Sequence, residues 1–92
     1  MSKSSEICLT ICNQKGLHAR AAAAFVKCVA EIDADISVEK DGQVVDGSSI
    51  LSLMMLAASK GSVIKVKAVG NEADRAIESL TVLVNSRFGE DQ

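Results

Sequence analysis

Ile36-Ser37-Val38-Glu39-Lys40-Asp41-Gly42-Gln43-Val44-Val45, in the middle of the chain, decides the fold class. Ile36 and Val38 alternate with Asp35, Ser37 and Glu39, the period of a strand buried on one face. Asp41-Gly42 supplies the pair of positive-φ residues that a two-residue hairpin turn demands, so Gln43-Val44-Val45 returns antiparallel. On the N-terminal side, Ala22, Phe25, Val26 and Val29 stand at i, i+3, i+4 and i+7, which predicts a helix from Ala22 to about Ile32. Before it, Glu6-Ile7-Cys8-Leu9-Thr10-Ile11-Cys12 alternates again, with Ile7, Leu9 and Ile11 on one face. On the C-terminal side, Gly47-Ser48-Ser49 stops the hairpin. The Ser49 hydroxyl is placed to cap a short helix through Leu56 that ends near Lys60-Gly61. Ser62 to Val69 forms a fourth strand, burying Ile64, Val66 and Ala68. Gly70-Asn71 opens a last helix, with Asn71 as its N-cap, Glu72 and Asp74 favouring its dipole, and a stripe of Ala73, Ala76, Ile77, Leu80 and Val84. The order is βαββαβα. It predicts an α+β domain over residues 1–92, with a four-stranded antiparallel sheet, three helices on one face and the other face open to water.

Composition narrows what such a domain does. The chain has 92 residues, 48% hydrophobic and 24% charged, an ordinary globular balance large enough for one small core. Its longest nearly apolar stretch, Ile50 to Ala58, is far below the roughly 18 residues of a membrane span. No apolar signal-peptide core follows Met1, so the expected location is the cytoplasm. The net charge is −2 and there is no Trp or Tyr, which disfavours nucleic acid as a partner. Cys8 and Cys12, about 13 Å apart on one strand, lie beyond the ~7 Å reach of a disulfide. Together with Cys28 they are expected to be free thiols, and their spacing suits neither zinc nor redox chemistry.

His18 is the only histidine. It stands where the Asn13 to Leu17 loop meets the first helix, followed by Ala19 and Arg20. The unpaired N–H groups at a helix start hold anions, and Arg20 adds a planar, permanently charged fork. That environment disfavours imidazolium and leaves a neutral ring able to attack phosphorus. Gly16 permits the tight turn that presents the ring. A lone His beside a Gly at a helix end is also an ordinary surface residue. No second His for a metal, no nucleophile–base pair and no Gly-rich phosphate loop accompanies it, so its chemistry would have to be catalysed by partners. Ser49-Ile50-Leu51-Ser52-Leu53-Met54-Met55-Leu56 points to partners independently. A two-turn helix this apolar cannot bury every side chain, and exposed methionine-rich patches are common docking surfaces.

Gly16-Leu17-His18-Ala19-Arg20, Ser48-Ser49-Ile50 and Lys60-Gly61, in a βαββαβα order, resemble the HPr family of histidine-containing phosphocarriers of the bacterial phosphotransferase system. The resemblance implies the HPr open-faced β-sandwich. It also implies that His18 takes a phosphoryl group on its δ nitrogen from phosphorylated Enzyme I and passes it to an EIIA-type protein, without cofactor or metal. Arg20 then stabilises the phosphoryl group, Ser49 is the regulatory serine that an HPr kinase/phosphorylase acts on in some bacteria, and Ile50, Leu51 and Met54 form the docking surface. Ala21 stands where the family usually has a proline, which makes helix entry less rigid. The ending Val84-Asn85-Ser86-Arg87-Phe88-Gly89-Glu90-Asp91 looks more like the nitrogen-branch NPr relatives. The expected carrier is a monomer that is not itself an enzyme. The alternative is a non-transferring regulatory module controlled by phosphorylation of Ser49, and a small-ligand or RNA-binding domain is disfavoured by the missing sheet aromatics.

Overall fold

The computed structural model describes residues 3–92, leaving Met1 and Ser2 outside. Strand β1 (Lys3–Thr10) is followed by α1 (Ala19–Ala30), the hairpin β2 (Asp35–Lys40) and β3 (Gln43–Asp46), α2 (Ile50–Met55), β4 (Val63–Gly70) and α3 (Ala73–Asn85). A 3-10 turn, Arg87–Gly89, follows the last helix. The order expected from periodicity is thus found, and the sheet runs β1-β4-β2-β3 with every pairing antiparallel. Asp41 and Gly42 take the turn of the β2–β3 hairpin with φ of 51° and 85°.

Register explains the two unlike faces. Leu9 pairs with Ile64, Ile7 and Val38 flank Val66, and Ile36 lies opposite Ala68, so one face is a continuous apolar floor. Phe25, Leu53, Leu80 and Val84 from the three helices close over it, all without solvent exposure. On the open face the lysines of β4 sit between acids: Lys67 pairs with Glu6, Lys65 with Glu39, and the Lys65 ammonium lies 3.7 Å from Glu6. That face balances its own charge instead of offering a basic stripe to nucleic acid.

Three boundaries differ from expectation. Helix α1 begins at Ala19, three residues before the stripe read from Ala22, because Ala19 and Arg20 can remain exposed and still be helical. Helix α2 reaches Leu56 as expected, but its stop is not made at Lys60-Gly61. Leu56 caps it, and Ala57 turns left-handed at φ 51° while its N–H donates to Met54 O at 3.1 Å. The stop is made by an alanine in a position that favours glycine. Ala57→Gly is therefore expected to stabilise the fold by about 0.5–1 kcal/mol, read as a higher urea midpoint with an unchanged slope.

The third correction concerns Asn71, which does not cap α3. The N-cap residue is Glu72, with no side-chain cap bond. Asn71 Nδ2 donates instead to Asp33 Oδ2 at 3.1 Å, the Asp33 N–H donates to Glu72 Oε1 at 2.8 Å, and the Glu72 N–H donates to Asp33 O at 2.9 Å. These bonds clasp the α1–β2 loop to the start of α3, a contact that local sequence cannot disclose. No helix among the described residues is long and apolar enough to cross a membrane. The three cysteines are free, and Cys12 Sγ donates to Val84 O at the end of α3.

Candidate functional site

The loop from Asn13 to Leu17 sets the site. Gly16 takes φ +67°, a conformation that L side chains resist, and a Cβ there would lie 2.4 Å from Ala58 O. That close approach lets the Leu17 N–H donate to Ala58 O at 2.8 Å, which ties the loop to the segment after α2. His18 follows as the N-cap residue of α1 with extended backbone, and its side chain makes no cap hydrogen bond. The first intrahelical bond is Ala22 N–H to His18 O. The N–H groups of Ala19, Arg20 and Ala21 therefore have no acceptor within the helix, and no acidic residue stands in its first turn. Ala21 is fully buried, yet it retains the amide that a proline at this position would lack.

A pocket of about 350 Å³ opens over this helix start, lined by Gln14, Lys15, His18, Arg20 and residues 89–92. Lys15 and Arg20 are exposed and make its basic rim. A second pocket, of about 250 Å³, joins His18 and Leu17 to Met54 and Ala57. His18 thus borders both Arg20, in the first pocket, and Met54, in the second. On α2, Leu51 and Met55 are 73% and 71% exposed and Ile50 and Met54 both 39%, whereas Leu53 and Leu56 are buried. The apolar surplus read from sequence is a real surface. Ser49 caps α2, its hydroxyl accepting the Ser52 N–H at 3.2 Å, and it lines neither pocket.

Two residues of the site were not anticipated. Glu90 reaches back from beyond α3 and places Oε2 2.5 Å from His18 Nε2, while Asn13 Nδ2 donates to Glu90 Oε1 at 3.0 Å. Asn13 is fully buried and also donates through Nδ2 to Gly16 O at 2.8 Å. Burial pushes the Glu90 carboxyl up, but hydrogen bonds from His18 and Asn13, with the nearby charge of Arg20, outweigh it and hold the group below the ordinary carboxylate range. The helix start is therefore not the only field acting on the ring. An apolar residue followed by glycine beyond the last helical stripe, Phe88-Gly89, signals a chain reversal, but nothing local signals where the reversal leads.

Asp46 and Glu72 are also held low. Asp46 accepts the N–H and hydroxyl of Ser48, and Glu72 accepts the Asp33 N–H and pairs with Arg75. A carboxyl depressed in the folded state contributes stability that is present above the unfolded values, about 3.9 for Asp and 4.3 for Glu. That stability is lost as pH falls through the lower folded values. Urea midpoints are expected to stay level from neutral pH to about 5 and to fall below about 4. A profile that rises on acidification would contradict this assignment.

Comparison with known proteins agrees with the geometry. Residues 5–86 match the family described as PTS HPr component phosphorylation site. The chain is 42% identical over 82 residues to the phosphocarrier protein HPr of Neisseria meningitidis serogroup A, covering 89% of this chain and 92% of that one. It is 37% identical to the phosphocarrier protein NPr of Shewanella violacea, covering 89% and 90%. Among solved structures, HPr-C-His from Thermoanaerobacter tengcongensis superposes with a TM-score of 0.91 at 41% identity, over 96% of this chain and 99% of that one. The HPr of Bacillus anthracis superposes with a TM-score of 0.84 at 37% identity, over 88% and 96%. With an open-faced βαββαβα sandwich and a lone histidine at the open start of its first helix, this chain belongs to the HPr family of phosphocarrier proteins.

Proposed function

We propose that His18 accepts a phosphoryl group on Nδ1 from phosphorylated Enzyme I, itself charged by phosphoenolpyruvate, and passes it to an EIIA-type protein. The observation that carries this reading is the state of the ring. His18 Nε2 is engaged by Glu90, and the side chain makes no cap bond to its own helix, so Nδ1 is left for chemistry on a residue that opens a helix whose first three amides lack helical acceptors. A phosphoryl group on Nδ1 gains those donors and the Arg20 guanidinium. The chain acts as a carrier: larger partners supply the catalysis, and no metal or cofactor takes part. It works in the cytoplasm as a monomer that presents one face to successive partners.

The α2 patch is that face. Ile50, Leu51 and Met54 are exposed apolar side chains, and Met54 borders the His18 pocket, so a partner seated on them brings its own reacting group over the ring. Ser49 opens this helix. Phosphorylation there by an HPr kinase would be tolerated at the helix start while placing new charge beside Ile50 and Leu51, which would weaken docking.

Intact mass after incubation with Enzyme I and phosphoenolpyruvate tests the reading. One phosphoryl group should be added and should be lost on brief acid treatment, as phosphohistidine is and phosphoserine is not. No uptake from a competent Enzyme I by the folded protein would overturn it. That outcome would favour the regulatory reading centred on Ser49.

A further inference from the structure

The tail beyond α3 is held in an unfavourable backbone to deliver one carboxylate. Arg87, Phe88 and Gly89 take φ of 59°, 56° and 81°, and the first two carry side chains that resist this region. The turn persists because Phe88 is buried in the core, the Gly89 N–H donates to Ser86 O, and Arg87 Nη1 donates to Asp91 O at 2.7 Å. Its product is the return of Glu90, with a side chain only 11% exposed, onto His18 and Asn13. Residue 90 lies past the span matched by the family, which ends at residue 86.

The polarity of these bonds determines the ring's tautomer. Asn13 Nδ2 donates to Gly16 O, which fixes the amide's orientation, and the same nitrogen donates to Glu90 Oε1. Ionised Glu90 only accepts, so His18 Nε2 must carry the proton that points at Oε2. A neutral ring protonated on Nε2 has its lone pair on Nδ1.

We propose that Glu90 is a positioning residue for phosphoryl transfer, holding His18 in the Nε2-protonated tautomer and compensating the positive charge the ring acquires when Nδ1 takes the group. The proposal rests on the carrier reading above. In the step, the Nδ1 lone pair forms the N–P bond while the bond from phosphorus to the donor atom of phosphorylated Enzyme I breaks and its electron pair stays on that donor. The Nε2 proton does not move. The ring becomes a phosphoimidazolium beside the Glu90 carboxylate, the arrangement by which a carboxylate supports an imidazolium in a catalytic triad. Transfer onward returns the pair to Nδ1.

Glutamine cannot replace Glu90 fully, because Asn13 Nδ2 and His18 Nε2 both donate and glutamine has a single accepting oxygen. The test uses histidine-15N-labelled protein without phosphate, comparing the native chain with Glu90→Gln, Glu90→Asp and Glu90→Ala. In the native chain, Nε2 should appear protonated and Nδ1 as the bare nitrogen, and Glu90→Ala should show a mixture of both tautomers. Phosphoryl acceptance from Enzyme I should slow about 10- to 100-fold in Glu90→Ala and less in Glu90→Asp, which keeps the charge one methylene short. Unchanged amide spectra away from the tail exclude a folding defect. A native ring protonated on Nδ1, or a Glu90→Ala variant with native tautomer and native rate, would overturn the proposal. The tautomer is read on unphosphorylated protein, so failure of uptake by the native chain counts against the carrier reading, while the nitrogen spectra still decide whether Glu90 sets the tautomer.

Discussion

His18→Ala is expected to lower phosphoenolpyruvate-dependent phosphoryl uptake more than about 1,000-fold, because it removes the atom proposed to attack phosphorus. The protein should otherwise remain intact. The imidazole makes no cap bond to α1 and is partly exposed, so helix entry does not depend on it. Asn13 still donates to Glu90 after the substitution, so the carboxylate is not left without a partner. Stability should therefore change by no more than about 1 kcal/mol. The pairing of lost uptake with a urea midpoint shifted by no more than that amount separates loss of chemistry from loss of fold. Acid-labile label retained in His18→Ala would place the phosphoryl group elsewhere and end the assignment of this residue.

Gly16→Ala should do the reverse, damaging fold and site together. At φ +67° the new side chain is strained in any case. Its Cβ would also lie 2.4 Å from Ala58 O and 2.8 Å from Ser59 Cα, backbone atoms that cannot swing aside as a flexible side chain would. Relief requires the loop to lift, which breaks the Leu17 N–H bond to Ala58 O and displaces the Gly16 carbonyl that orients Asn13. We expect a loss of about 2–4 kcal/mol, measured by urea unfolding, with slowed phosphoryl uptake in the fraction that remains folded. A loss under about 0.5 kcal/mol, within the range of an ordinary surface substitution, would mean that the loop is not wedged against residues 58–59 as the structure has it.

Much of the fold was legible because its signals are local. Asp41-Gly42 encodes its own turn, the Phe25 and Leu80 stripes encode their helices, and alternation in β1, β2 and β4 marks the face that is buried. The exposed apolar surplus of α2 followed from simple geometry, since two turns cannot hide every apolar side chain. Local reasoning failed where a distant segment competes for a group. Asn71 has the chemistry of an N-cap, yet Asp33, brought alongside by the sheet, takes its amide instead. The stop of α2 falls earlier than Lys60-Gly61 because Ala57, directly after Leu56, adopts a left-handed turn.

The same division runs through the site. His18, Arg20 and the open amides beside them are neighbours in sequence, so the position of a helix start was enough to bring them together. Glu90 is 72 residues from His18, and their contact exists only because α3 packs on the sheet and the strained turn after it reverses the chain. By itself the sequence determined the elements, their order, the apolar surface and the place of the lone histidine at a helix start, all matters of short-range periodicity and chemistry. Tertiary structure alone decided the strand order, the clasp of Asp33 on α3 and the carboxylate that faces the histidine, because no local preference encodes the meeting of groups far apart along the chain.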